Sequence, residues 1–195
     1  MRKALSFIFM TTMIGLCPSS YACTTPLDST APNTTRYMTE YSREPSKING
    51  VFPYDIELRT ADGKVFNSGK LLKESDKPTV LVFWLTTCYP CRLELEAYKQ
   101  HFDAWAKETK FRMVAISTDF PDKADAFVNT VKEQKWQFEA YHDFNREFRL
   151  VMPGELNGLP QLFLFDKKGI MVYHHKRYTP GDENALYEEI KKAAN

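Results

Sequence analysis

At 195 residues, 43% hydrophobic and 14% aromatic, the chain can bury one sizeable core and does not require two. Its formal net charge is +1, and removing Arg2 and Lys3 with a segment that has no acidic residue leaves −1, so there is no electrostatic reason to expect nucleic acid. Its four cysteines include one C-x-x-C pair, and an exported chain of this length with a single such pair uses it for chemistry instead of as a disulfide framework.

Residues 1–22 start with Arg2-Lys3, run through the mostly apolar Ala4 to Leu16 and reach Ser20-Tyr21-Ala22, the pattern of a secretory signal peptide. The 13-residue apolar segment is shorter than the ~20 residues that span a hydrocarbon core. Export to a periplasm is therefore expected. Cleavage after Ala22 leaves Cys23 first, either as an ordinary thiol or as an acylated lipoprotein cysteine; Ser20 and Tyr21 depart from the usual lipoprotein signal. Residues 23–46 are polar and turn-rich without hydrophobic periodicity and read as a flexible leader, so that the folded domain is residues 47–195.

Partial alternation from Phe52 to Arg59, a turn at Asp62-Gly63 and then Lys64-Val65-Phe66 predict an antiparallel hairpin. Thr79 to Leu85 is apolar on both alternating sets, as in a central parallel strand covered on both faces. It leads into Cys88-Tyr89-Pro90-Cys91. A C-x-x-C pair on the first turn of a helix can close a disulfide with little chain movement. The unpaired N–H groups there favour a thiolate on the first cysteine. Cys88 is the expected nucleophile and Cys91 the resolving partner. A structural zinc site would need a second ligand pair, and His101 and His142 stand alone while His174 and His175 are adjacent. No metal or other cofactor is expected.

From Arg92 to Lys107, Leu95, Tyr98, Phe102 and Trp105 recur at helical spacing and define one buried stripe. Phe111 to Ser117 reads as the next strand, Asp122 to Lys135 as a helix, Phe138 to Tyr141 as a short strand and Asn145 to Met152 as a short helix. After Leu159-Pro160 come strand Gln161 to Phe165, turn Asp166-Lys167-Lys168-Gly169 and strand Ile170 to His174. A last helix is expected to open with Thr179 as N-cap and Pro180 in its first position. This order implies an α/β fold of thioredoxin-like type: three layers, α/β/α, with a mixed central sheet and an N-terminal β-hairpin.

The run Phe83-Trp84-Leu85-Thr86-Thr87-Cys88-Tyr89-Pro90-Cys91-Arg92-Leu93-Glu94 resembles the TlpA/ResA group of exported thioredoxin-like reductases. The Asp62-Gly63-Lys64 hairpin, Gly158-Leu159-Pro160 and the 166–169 turn extend the resemblance over residues 50–193. Cys88 and Pro160 are 72 residues apart, and the helix and strand between 122 and 141 look like that group's central insertion. The resemblance implies a cis Leu159-Pro160 bond beside Cys88, with Tyr89, Pro90, Leu159 and Pro160 forming the substrate surface. Thioredoxin's buried acid, six residues before its first cysteine, is here Val82. Glu94 matches the acid that the group keeps near the dithiol, and a partly buried carboxyl there could take the Cys91 proton. The implied activity is reduction of protein disulfides, in cytochrome c maturation or periplasmic thiol maintenance, with electrons from a membrane donor of the DsbD/CcdA type.

Two other classes share the fold. A thiol peroxidase of the peroxiredoxin kind needs a Pro-x-x-x-Thr/Ser-x-x-Cys frame, but Leu81 and Leu85 occupy the proline and hydroxyl positions. A Sco-like copper-binding module uses two cysteines and a distant histidine; His174 lies 86 residues after Cys88, but Sco-type cysteines are one residue further apart. The His174-His175 pair reads as a surface feature at a strand end.

Overall fold

The computed structural model describes residues 55–72 and 75–195. The segments expected to be signal peptide and leader, Cys23 and the first residues expected in the hairpin lie outside the described residues. The elements in chain order are β1 (Glu57–Arg59), β2 (Val65–Asn67), α1 (Gly69–Leu72), β3 (Thr79–Trp84) and α2 (Tyr89–Glu108). They continue with β4 (Arg112–Ser117), α3 (Ala124–Gln134), β5 (Glu139–His142), α4 (Phe148–Val151), β6 (Gln161–Phe165), β7 (Met171–Lys176) and α5 (Asp182–Ala194). Single 3₁₀ turns cover Pro121–Lys123 and Pro153–Leu156. No helix among the described residues is long and apolar enough to cross a membrane.

All seven strands join one sheet in the order β2-β1-β5-β4-β3-β6-β7. β3, β4 and β5 are parallel, and β1, β2, β6 and β7 join through antiparallel pairs. The expected hairpin forms, with Glu57 opposite Asn67 and Gly63 at φ +83° in its turn, a value that favours glycine. The region read as an insertion, α3 with β5, places β5 between β4 and this hairpin.

Alternation in the central strands divides the core. Leu81, Phe83, Val114, Ile116 and Phe163 pack on one face with Leu71, Phe148, Met152 and Leu156. Val80, Val82, Trp84, Met113 and Leu162 pack on the other with Leu95, Tyr98, Phe127, Leu186 and Ile190. The layers are therefore unequal. The three long helices share the second face, while the first is closed by α1, α4 and the 153–156 turn. Chain handedness explains this: β3, β4 and β5 step across the sheet in one direction, so two right-handed crossovers put α2 and α3 on the same side.

Some boundaries differ from expectation: the short helix expected over Asn145 to Met152 is confined to Phe148–Val151, and β7 runs on to Lys176. The last helix starts at Asp182, and Thr179 and Pro180 lie in the preceding turn. The Asp182 carboxylate accepts the Thr179 N–H at 2.7 Å and Gly181 adopts φ +107°, so the aspartate and glycine close the turn before the helix begins.

Candidate active site

β3 delivers the chain to the carboxyl edge of the sheet, where the Thr118 N–H donates to the Trp84 carbonyl at 3.0 Å and carries the β3–β4 pairing past the strand ends. A turn follows, with the Cys88 N–H donating to the Leu85 carbonyl at 3.0 Å. Cys88 is the N-cap of α2: its backbone is extended (φ −83°, ψ 104°), and its Sγ accepts the Cys91 N–H at 3.3 Å. Pro90 sits in the first helical turn, where a missing N–H costs nothing.

The two sulfurs form a disulfide with Cα atoms 5.3 Å apart. Their environments differ. Cys88 is half-exposed and Cys91 is fully buried in the core beneath α2. An incoming thiol or thiolate therefore meets Cys88 first. Tyr89 is 62% exposed beside it, with the Arg92 guanidinium 5.8 Å from its ring centre, and Leu93 is also exposed.

The Leu159-Pro160 peptide bond is cis. Strand register brings this segment to the dithiol, since Gln161 pairs with Phe83 across β3 and β6. Leu159 and Cys88 pack against the same core cluster, with Leu159 half-buried and Pro160 buried. Gly158, at φ +77°, lies so close to Lys176 that a Cβ would stand 3.0 Å from its Cε.

Glu94 is 1% exposed, on the helix face that also buries Cys91, Leu95 and Tyr98. Its Oε1 accepts the Tyr98 hydroxyl at 2.8 Å, and its Oε2 has no hydrogen-bond partner among the described residues. Burial, helped by the negative charge of Asp182 and opposed by the Tyr98 hydrogen bond, pushes the carboxyl up from 4.5 to about 7. Val82, at the position of thioredoxin's acid, is fully buried among apolar neighbours.

Sequence reasoning missed two features near this edge. Asp119, read only as part of a loop, is buried and holds the backbone N–H and hydroxyl of Thr86, two residues before Cys88. His174 is not a plain surface residue. It stacks on Phe163 with ring centres 4.3 Å apart, and its Nε2 donates to Gln161 Oε1 at 3.1 Å because the Gln161 amide nitrogen already donates to Asn157. Burial, with the positive charges of His175 and Lys176, lowers His174 to about 4. No signal separates this histidine from His175 in the sequence, because the stack depends on pairing between β6 and β7. Among the described residues no group of three or more His, Cys, Asp or Glu is placed to hold a metal ion.

A thioredoxin-like sheet presenting a C-x-x-C disulfide at a helix N-terminus, opposite a cis-proline, defines a thiol-disulfide oxidoreductase. The chain belongs to the AhpC/TSA family, whose model matches residues 49–174, and within it the likeness is to TlpA/ResA-type proteins. Solved structures agree. A thioredoxin-like protein from Porphyromonas gingivalis is 29% identical, with a TM-score of 0.63 over 73% of this chain and 91% of that one. A putative thiol:disulfide interchange protein DsbE from Chlorobium tepidum is 25% identical, with a TM-score of 0.59 over 72% and 94%. A secreted disulfide oxidoreductase from Mycobacterium tuberculosis shares the fold at 19% identity, with a TM-score of 0.56 over 71% and 96%. No curated protein sequence matches the chain.

Proposed function

We propose that this protein is an exported reductase of protein disulfides, acting in cytochrome c maturation or related periplasmic thiol maintenance. The observation that carries the reading is the asymmetry of the dithiol: a half-exposed Cys88 at the helix N-terminus, and a buried Cys91 sharing its helix face with a buried carboxyl that has a free oxygen. Arg2-Lys3 and the apolar run after them support export.

In the reduced protein the Cys88 thiolate attacks a substrate disulfide, forming a mixed disulfide and releasing one substrate thiolate. The Cys91 thiol gives its proton to Glu94 and its sulfur attacks Cys88, which closes the Cys88–Cys91 disulfide and releases the second substrate thiolate. Two electrons have passed to the substrate. A carboxyl raised to about 7 suits this proton transfer, because it lies closer to the thiol range than an ordinary glutamate does. Leu159 and Pro160 dock the extended substrate beside Cys88, with Tyr89 and Pro90 as the opposite rim. A membrane donor of the DsbD/CcdA type restores the dithiol by the reverse exchange.

Cys91→Ser tests the reading most directly, because it stalls the mixed disulfide on Cys88 and lets substrates be isolated and identified by mass. Capture of c-type apocytochromes or periplasmic oxidoreductases is expected. A reduction potential near or below about −270 mV supports reduction, and one near about −120 mV overturns it. Unchanged rate and pH profile in Glu94→Gln would remove the glutamate from the mechanism.

A further inference from the structure

Asp119 is 3% exposed, and no step of the reaction above uses it. A buried carboxylate is costly unless its oxygens are satisfied, and those of Asp119 are met in a specific way. Oδ2 accepts the Thr86 backbone N–H at 2.9 Å and the Ser117 hydroxyl at 2.6 Å, while Oδ1 accepts the Thr86 hydroxyl at 3.0 Å. Ser117 is a near neighbour in the chain, but Thr86 is 33 residues away, on the loop that carries the nucleophile.

The aspartate is itself held from behind. Its N–H donates to Ser117 Oγ at 3.2 Å, and its carbonyl accepts from His142 Nε2 at 3.0 Å, so that ring nitrogen carries a proton. His142 is buried and stacked on Phe127, and Arg146, whose guanidinium lies 3.6 Å from the Phe120 ring centre, feels the negative charge of Asp119. Asp119 is thus attached to the ends of β4 and β5, through Ser117 and His142, and its carboxylate reaches out to a loop.

The Leu85–Cys88 turn has two central residues. Thr87 is exposed, and among the described residues it is Thr86 whose hydrogen bonds join the middle of the turn to the body of the protein. We propose that Asp119 is a positioning residue, whose bidentate hold on Thr86 sets the turn that seats the Cys88 sulfur over the N-terminus of α2. The inference rests on Cys88 as the nucleophile. Its physical content is that the thiolate is stabilised only where Sγ meets the Cys91 N–H and the helix terminus, and that this meeting depends on a tether made one turn upstream.

The test varies Thr86, which leaves the Asp119 charge in place so that position alone is probed. Thr86→Val keeps the shape and loses the hydroxyl bond; Thr86→Ala does the same without a branched side chain, should the valine variant not fold. Thr86→Ser retains both bonds. In the reduced full-length protein, the Cys88 thiol pKa and its alkylation rate by iodoacetamide are read at the Cys88 peptide by mass spectrometry. Thr86→Val or Thr86→Ala should raise the thiol pKa and slow alkylation below it about 3- to 10-fold, the span of one net hydrogen bond. Thr86→Ser should return the wild-type titration. An unchanged Cys88 titration in the folded valine or alanine variant, whatever its melting temperature, would overturn the proposal. Loss of disulfide reduction in Cys88→Ser is scored separately, since its failure would remove the nucleophile assignment and leave the positioning result intact.

Discussion

Replacing Glu94 by glutamine should change how the stability of the oxidised protein depends on pH. Burial raises the carboxyl from 4.5 to about 7, so between those values the folded protein binds a proton that the unfolded chain has released. Stability from this group is therefore complete below about pH 4.5 and falls as pH rises through about 7. At about 1.4 kcal/mol for each pH unit, the loss is roughly 3 kcal/mol, and because the group is only 1% exposed when folded, solvent screening is a small correction. Glutamine keeps the acceptor for Tyr98 and carries no charge at any pH. Urea unfolding at pH 4.5 and pH 8 should give a variant that gains roughly 3 kcal/mol on wild type between the two conditions. The comparison also removes the other titrating groups. Asp143, raised to about 6 chiefly by burial, is common to both proteins, as is His174. A wild-type minus variant difference constant within about 0.5 kcal/mol across this range would refute the reasoning, because a carboxyl solvated in the folded state has no such linkage.

His174 titrates with the opposite sign: its folded value of about 4 lies below the unfolded 6.5, so its contribution is present above 6.5 and lost as pH falls through about 4. His174→Phe should flatten that acid limb in pH-dependent unfolding while keeping the stack on Phe163. Gly158→Ala places a Cβ 3.0 Å from Lys176 Cε at φ +77°, so a cost of about 1 kcal/mol is expected in urea unfolding. With Leu159 displaced, kcat/KM should fall for a protein disulfide more than for a small aromatic disulfide. In the Cys91→Ser variant, thiol-reducible adducts should form on Cys88 and be absent from the Cys88→Ser, Cys91→Ser double variant, as seen on non-reducing gels.

Much of the fold was legible because its signals are local. The two-sided apolar run of β3, the short apolar run of β6 and the helical stripe Leu95, Tyr98, Trp105 each depend on residues within one element, and each element forms where its pattern places it. α5 starts later than expected because Thr179 and Pro180 make a good helix opening in isolation, while the turn that displaces it, closed by the Asp182 carboxylate on the Thr179 N–H with Gly181 left-handed, depends on geometry beyond the local pattern. The unequal layering was also hidden, since helix placement follows from strand order and crossover handedness.

The sequence by itself determined the dithiol, its place between a buried strand and a helix, and which sulfur heads that helix, because three-residue spacing on a first helical turn settles those relations within the chain segment. Only the tertiary structure decided what surrounds the pair. Glu94 acquires its unusual protonation because packing of the sheet and helices buries it on the inner face of α2 and brings the charge of Asp182 from α5 to bear on it. Thr86 acquires its anchor because β4 runs parallel to β3 and ends beside it, delivering Asp119 across 33 residues of chain. Burial and long-range hydrogen bonds are properties of the packed sheet, and no local pattern encodes them.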